Sequence, residues 1–256
     1  MKCSIKTLII LLVTLSASST FAQDEWRHGF GTGLFALNLD GDAGMNTTLL
    51  GPVEVNLDLS TDELMDYVET GLGFGGFSAK GKWKVLYSLQ YLELGDDISG
   101  TTANGVPVSA DVTFTVSGAE LAGVYQLAQF GKSRWGLLGG LRYLKHEFES
   151  TLTAGESSLS RDLDESWVDV LFGFTHDAVI SDKWSWNTRF DVGLGGSEGT
   201  FNFNTGATWR FAQSWAVNLY GKYTAQDFEN GDKGDADWYL YDVNEFGAGA
   251  TILFLY

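Results

Sequence analysis

Phe201-Asn202-Phe203-Asn204-Thr205-Gly206-Ala207-Thr208-Trp209-Arg210-Phe211 changes character at every residue. Phe201, Phe203, Thr205, Ala207, Trp209 and Phe211 fall on one side of an extended chain. Asn202, Asn204, Gly206, Thr208 and Arg210 fall on the other. A period of two is the mark of a β-strand with unlike faces, because successive side chains point to opposite sides of the sheet. The pattern recurs. In 83–92, Trp83, Val85, Tyr87, Leu89 and Tyr91 alternate with Lys84, Leu86, Ser88, Gln90 and Leu92. In 186–194, Trp186, Phe190, Val192 and Leu194 alternate with Asn187, Arg189, Asp191 and Gly193. Further on, Trp215, Val217, Leu219 and Tyr223 alternate with Ala216, Asn218, Tyr220 and Lys222.

Alternation alone also fits a water-soluble sandwich. Two features favour a membrane barrel instead. The apolar face begins or ends in aromatic residues: Trp83 and Tyr91, Trp135 and Tyr143, Trp167, Trp184 and Trp186, Trp209, Trp215 and Tyr223. Aromatics at both ends of strands of about ten residues are what interfacial girdles require. The opposite face is rich in glycine and charge, which a sandwich core would not tolerate. After residue 22 no run of about 18 apolar residues occurs, so no transmembrane helix is expected.

The connections carry an independent signal. Ten strands are expected, near 28–39, 70–79, 82–94, 110–128, 133–149, 163–180, 183–195, 200–212, 214–228 and 238–255. The even-numbered connections are tight: Lys80-Gly81, Gln129 to Lys132, Ser181-Asp182 and Gln213. The odd-numbered ones are longer and polar, running Asp40 to Glu69, Gly95 to Ser109, Ser150 to Asp162 and Glu229 to Asp237; only Gly196 to Gly199 is short. Short turns on one side and long loops on the other are the asymmetry of an outer-membrane barrel. Within the first long connection, Val53 to Leu59 (VEVNLDL) alternates and can extend the first hairpin. Asp62 to Tyr67 reads as a helical turn capped by Ser60 or Thr61. The expected fold is therefore all-β: a closed, antiparallel, up-and-down transmembrane β-barrel of about ten strands, eight or twelve being the alternatives.

Residues 1–22 are read separately as a secretory signal peptide. Lys2 and Lys6 start it, Leu8 to Leu15 form a short apolar core, and Ser16 to Ala22 supply a small-residue exit. The barrel domain is then 23–256. Cys3, the single cysteine, would leave with the signal. The whole chain carries a net charge of −17. Removing Lys2 and Lys6 from its 16 basic residues leaves 14 against 33 acidic ones, a net charge of −19. Such a surface repels nucleic acid. Glycine is abundant at 32 residues and proline nearly absent at 2, while aromatics reach 14%, a composition of many short strands rather than disorder.

The signal peptide, the glycine-studded aromatic strands and the chain end Gly249-Ala250-Thr251-Ile252-Leu253-Phe254-Leu255-Tyr256 resemble the small bacterial outer-membrane barrels grouped as OmpA-like or porin-like proteins. The resemblance spans the mature chain and is architectural. It implies residence in the bacterial outer membrane, contact with its lipid and lipopolysaccharide, and delivery by the barrel-assembly machinery. For that machinery Ile252, Phe254 and Tyr256 would be the assembly signal, although the group usually ends in Phe. It implies no catalytic or cofactor-binding residue.

If the apolar face meets lipid, the opposite face places Lys84, Glu120, Arg142, Asp169, Arg189, Asp191, Arg210, Lys222 and Glu245 in the lumen. A barrel of eight to ten strands has an interior that side chains can fill. Buried charges must be paired. The first reading is a plugged, non-enzymatic barrel with a structural or surface-interaction role and acidic outer loops. The second is a narrow porin-like channel for small solutes; a lipid-modifying enzyme is the third.

Enzymatic readings turn on three histidines. In the resembling lipid A deacylases and outer-membrane phospholipases a His lies two residues before a nucleophilic Ser. Here His28, His146 and His176 are followed by Gly29-Phe30, Glu147-Phe148 and Asp177-Ala178. Omptin-like proteases need an Asp-x-Asp and an Asp-x-His pair; Asp235-Ala236-Asp237 supplies the first, and the second does not occur. No catalytic residue, cofactor or resident metal is therefore expected. The acidic loop Asp227 to Asp237 does not follow the EF-hand spacing. It reads as solvated charge, with loosely held Ca²⁺ or Mg²⁺ bridging it to lipopolysaccharide phosphates as its second reading.

Overall fold

The computed structural model describes residues 25–47, 51–101, 107–155 and 157–256. The expected signal peptide lies outside them. Eleven strands and one helix follow in chain order: β1 (Arg27–Thr47), β2 (Gly51–Leu59), α1 (Thr61–Tyr67), β3 (Val68–Lys80), β4 (Trp83–Thr101), β5 (Pro107–Phe130), β6 (Ser133–Ala154), β7 (Ser157–Val179), β8 (Trp184–Leu194), β9 (Gly199–Arg210), β10 (Trp215–Asn230) and β11 (Tyr239–Leu255). β1 pairs antiparallel with both β2 and β3, each strand from β3 onward pairs antiparallel with the next, and β11 returns to β1 over Gly29↔Leu255 to Met45↔Tyr239. Leaving out β2, ten strands close a ring. Closure removes the unpaired edges that an open sheet would expose.

The parity read from the sequence sets the two faces. On β8, Trp184, Trp186, Phe190 and Leu194 are exposed on the outer surface, while Asn187, Arg189 and Asp191 are buried. Leu89, Leu121, Phe172 and Leu219 continue the apolar outer belt around the barrel, each more than half exposed. Trp83, Trp135, Trp184, Trp209 and Trp215 form a row at the end that carries the tight turns, and Tyr143 and Tyr223 lie in the opposite row. Gly81 and Gly131 close two of the tight turns with φ of +58° and +60°, a conformation that costs glycine little and other residues more.

Trp167 departs from the girdle expectation. It faces inward at 4% exposure and stacks on Phe228 with ring centroids 4.0 Å apart and an interplanar angle of 13°. Its odd position on β7 matches that of buried Asp169 and Leu171, so parity, not residue type, sets its direction.

The long loops also differ from expectation. β4 to β7 run on past the apolar belt to Thr101, Pro107, Ala154 and Ser157, so most of the two expected loops between them is paired strand. β2 pairs with the upper part of β1, Leu39↔Leu59 to Thr47↔Gly51, and extends the first hairpin beyond the barrel wall. β1 pairs with β3 only over Arg27↔Ala79 to Gly31↔Gly75. Beyond that ladder the Thr32 hydroxyl donates to the Gly73 carbonyl at 2.8 Å.

α1 stands beside this gap. Ser60 caps it: the Glu63 amide donates to the Ser60 hydroxyl at 3.4 Å, and the Ser60 amide donates to the Glu63 carboxylate at 2.9 Å. The Thr61 amide donates to the Asn38 side chain at 2.9 Å, which ties the helix to β1. Leu64 is the helix's buried residue, fully enclosed with Phe35, Leu37, Val68 and Leu92.

Candidate functional site

The lumen is built in layers because each inward-facing position belongs to a fixed height on the sheet. At the tight-turn end an apolar layer gathers Phe77, Leu86, Val124, Leu138, Leu171 and Leu253. Beside it the Lys84 ammonium donates to the Asp177 carboxylate at 2.7 Å, both residues 7% exposed or less. Asp177 shares parity with Asp169 four pairs along the same strand, so the alternation pointed inward at this position as well.

Four side chains form the middle layer. Glu120 (β5) faces Arg142 (β6) directly across the ladder, and Arg189 and Asp191 reach in from β8. Glu120 accepts from Arg142 at 2.9 and 3.2 Å and from Arg189 at 2.5 and 3.0 Å. Asp191 accepts from Arg189 at 2.6 Å, from Arg142 at 3.1 Å and from the Asn202 amide at 2.9 Å. Two guanidinium forks thus meet two carboxylates, and the quartet carries no net charge. Taking such ions from water costs several kcal/mol each, and only near-ideal geometry with every lone pair used offsets the cost. Next to the quartet, the Lys222 ammonium lies 3.8 Å from the Glu245 carboxylate, which also accepts from Gln226 at 3.0 Å. The space left between these groups is a cavity of about 50 Å³.

The two remaining charges of the expected set do not join. Arg210 is exposed at the tight-turn mouth, where it lines a cavity of about 430 Å³ with Arg27, His28 and Lys183. It is the last residue of β9, so its side chain clears the wall. Asp169 is fully buried but serves a turn: its carboxylate accepts from the Gly196 and Ser197 amides at 3.1 and 2.9 Å and from the Ser197 hydroxyl at 2.8 Å.

A second apolar layer lies beyond the charges. Phe35 stacks on Tyr220 at 5.9 Å and 4°, and Gly249 leaves the space for that ring, since a Cβ there would sit 2.4 Å from it. His146 is 2% exposed in this layer, with Phe114, Trp167 and Tyr241 edge-on to it and its Nδ1 2.8 Å from the Tyr239 hydroxyl. The inward residues Phe35, Leu37 and Leu39 escaped the sequence reading because β1 is apolar on both faces, with Phe30 and Leu34 outside.

The other histidines sit at the tight-turn end. His176 packs on Trp135 at 4.5 Å. His28 stacks between Trp26 and Tyr256, and its Nδ1 is 2.8 Å from the Ser78 hydroxyl. Tyr256 and Ile252 are exposed on the outer surface, and Phe254 packs against Trp215. Among the described residues no group of three or more His, Cys, Asp or Glu is placed to hold a metal ion.

No family model and no curated protein matches the chain. Solved structures do resemble it. The outer membrane protease OmpT from Escherichia coli is 8% identical, with 93% of this chain and 99% of that one covered and a TM-score of 0.48. The translocator domain of the autotransporter NalP from Neisseria meningitidis is 13% identical, with 91% and 89% covered and a TM-score of 0.46. The outer membrane channel DcaP of Acinetobacter baumannii is 8% identical, with 94% and 100% covered and a TM-score of 0.29. At these identities the likeness is one of architecture, and no activity passes from those proteins to this one.

Proposed function

We propose that this chain is a non-enzymatic integral protein of the bacterial outer membrane, a barrel closed at its centre whose business lies in its acidic outer strands. The paired quartet of Glu120, Arg142, Arg189 and Asp191 carries this reading. It lies between two apolar layers and leaves about 50 Å³ of space, room for ordered water rather than a continuous solute path. The exposed apolar belt and its aromatic rows support burial in lipid, with the tight turns periplasmic. Ile252, Phe254 and Tyr256 are offered as the signal to the assembly machinery. Lipopolysaccharide, with loosely held divalent cations between its phosphates and the outer carboxylates, is the proposed neighbour of the outer strands.

Two measurements test this. Folded barrels resist SDS until heated, so unboiled protein should migrate differently from boiled protein; identical migration would count against a membrane barrel. Planar-bilayer recordings should be silent. Steady single-channel openings would replace the closed barrel with the narrow-channel reading. Lipid A and phospholipid assays with His146→Ala and His176→Ala address the enzymatic alternative: turnover abolished by either substitution would overturn the non-enzymatic reading.

A further inference from the structure

The outer end of the barrel holds a cavity of about 660 Å³ between the β1–β2 hairpin and the tips of β5 to β7. Val53, Val55 and Leu57 form one wall; Phe148, Leu152 and Leu159 form the other. The hairpin wall is directed by alternation, since Glu54, Asn56 and Asp58 take the intervening positions. Val55, Leu152 and Leu159 stay 44–49% exposed, although nothing in the barrel requires apolar side chains so far from the belt. A concave, almost wholly apolar cavity of several hundred Å³ with few polar groups is the form of a small-molecule site.

Charge narrows the occupant. Arg161 is the only basic side chain among the described lining residues, and its guanidinium already donates to the Asn46 and Ala236 carbonyls at 3.1 Å each. Tyr239 and Tyr241 present rings, their hydroxyls being engaged by His146 and Glu245. Asp40, Glu54, Asp58, Glu149 and Asp162 take the exposed positions that alternate with the lining residues on the same strands, and of these Glu54 is paired with Lys233. A carboxylate or phosphate headgroup would enter a negative field and find no uncommitted cation inside. We infer that this outer vestibule binds an uncharged hydrophobic small molecule of aromatic or alkyl character, and disfavours the anionic equivalent. The inference does not depend on whether the centre of the barrel conducts.

Two fluorescent probes of nearly equal size separate the possibilities: neutral N-phenyl-1-naphthylamine and its anionic relative 1-anilinonaphthalene-8-sulfonate. Each is titrated against full-length barrel in phosphatidylcholine nanodiscs, with empty nanodiscs subtracted. The neutral probe should saturate at one site per barrel and bind at least about tenfold tighter than the anion. Val55→Asp with Leu152→Asp should weaken it by roughly tenfold or more, the equivalent of losing about 1.4 kcal/mol. Both positions are half-exposed, and heat-dependent gel migration checks that the variant is folded. Val55→Trp with Leu152→Trp fills the space without charge and should also remove binding. A signal that follows lipid alone, equal affinity for the anion, or binding untouched by both double variants would overturn the assignment.

Discussion

Two regions of this barrel handle charge in opposite ways. At the centre, Glu120 and Asp191 each accept from two arginines, and the sum is neutral. On the outer strands, carboxylates face carboxylates. Asp242 on β11 is in register with Asp42 on β1 and Asp227 on β10; Asp97 is opposite Asp111, and Asp40 opposite Asp58. Solvent explains the difference. Water and salt screen the outer pairs within about 10 Å, whereas an unpaired ion in the lumen would bear its full desolvation cost. Complementarity is therefore compulsory inside and optional outside, leaving the outer surface free to stay acidic.

The largest expected effect breaks the inner half of this contrast. Glu120→Leu should lower unfolding stability by about 3–5 kcal/mol, because two buried guanidiniums lose their main acceptor. Urea titration of the lipid-embedded barrel measures it. Replacing Glu120, Arg142, Arg189 and Asp191 together by apolar residues of similar volume should recover most of that loss. A single variant as stable as the parent would mean that water reaches the centre.

Trp167→Ala should cost about 3–5 kcal/mol by opening a cavity against Phe228 in the upper lumen. An outward girdle position would lose far less, so the same denaturation experiment separates the two placements. Ser60→Ala removes the helix cap and should cost about 1 kcal/mol. Its effect should be local, appearing as faster proteolysis within residues 61–67 while the barrel keeps its resistance to SDS.

The smallest effect lies in the outer half and has the opposite sign to ordinary acid sensitivity. Partial burial and then Asp242, Glu198 and Glu229 raise the Asp227 carboxyl above its usual range, and a hydrogen bond to Asp97 raises Asp111. The folded outer strands hold these protons at a pH where the unfolded chain has released them. Stability from these sites accordingly falls as pH rises through the carboxylate range, and returns on mild acidification. Protection factors of the amides in β10 and β11 near Asp227, with the intrinsic pH dependence of exchange divided out, should rise on mild acidification, and Asp227→Asn should abolish the change. Glu63 behaves conversely: its hydrogen bonds with Ser60 lower its pKa, so α1 loses that support as pH falls.

How much of this was legible before folding depended on whether a residue's direction followed from parity. Alternation in 83–92, 186–194 and 201–211 placed Lys84, Arg189, Asp191 and Asn202 inside, and the short-long rhythm of connections placed the tight turns at one end. Parity also held for Trp167, where residue type pointed the wrong way. It could not resolve β1, which is apolar on both faces, nor predict that the expected loops would continue as strands.

The sequence by itself determined the barrel, because a period of two over many strands with aromatic ends admits few other ways to satisfy the backbone and both faces. Only the tertiary structure decided which charges meet. Glu120, Arg142, Arg189 and Asp191 come from three strands up to 71 positions apart, from Glu120 to Asp191, and their pairing depends on register around a closed ring. The same holds for Arg210, which the end of β9 carries out of the lumen, and for Asp169, which a turn claims first. Parity is local, a property of one strand; pairing across a lumen is a property of the closed circumference.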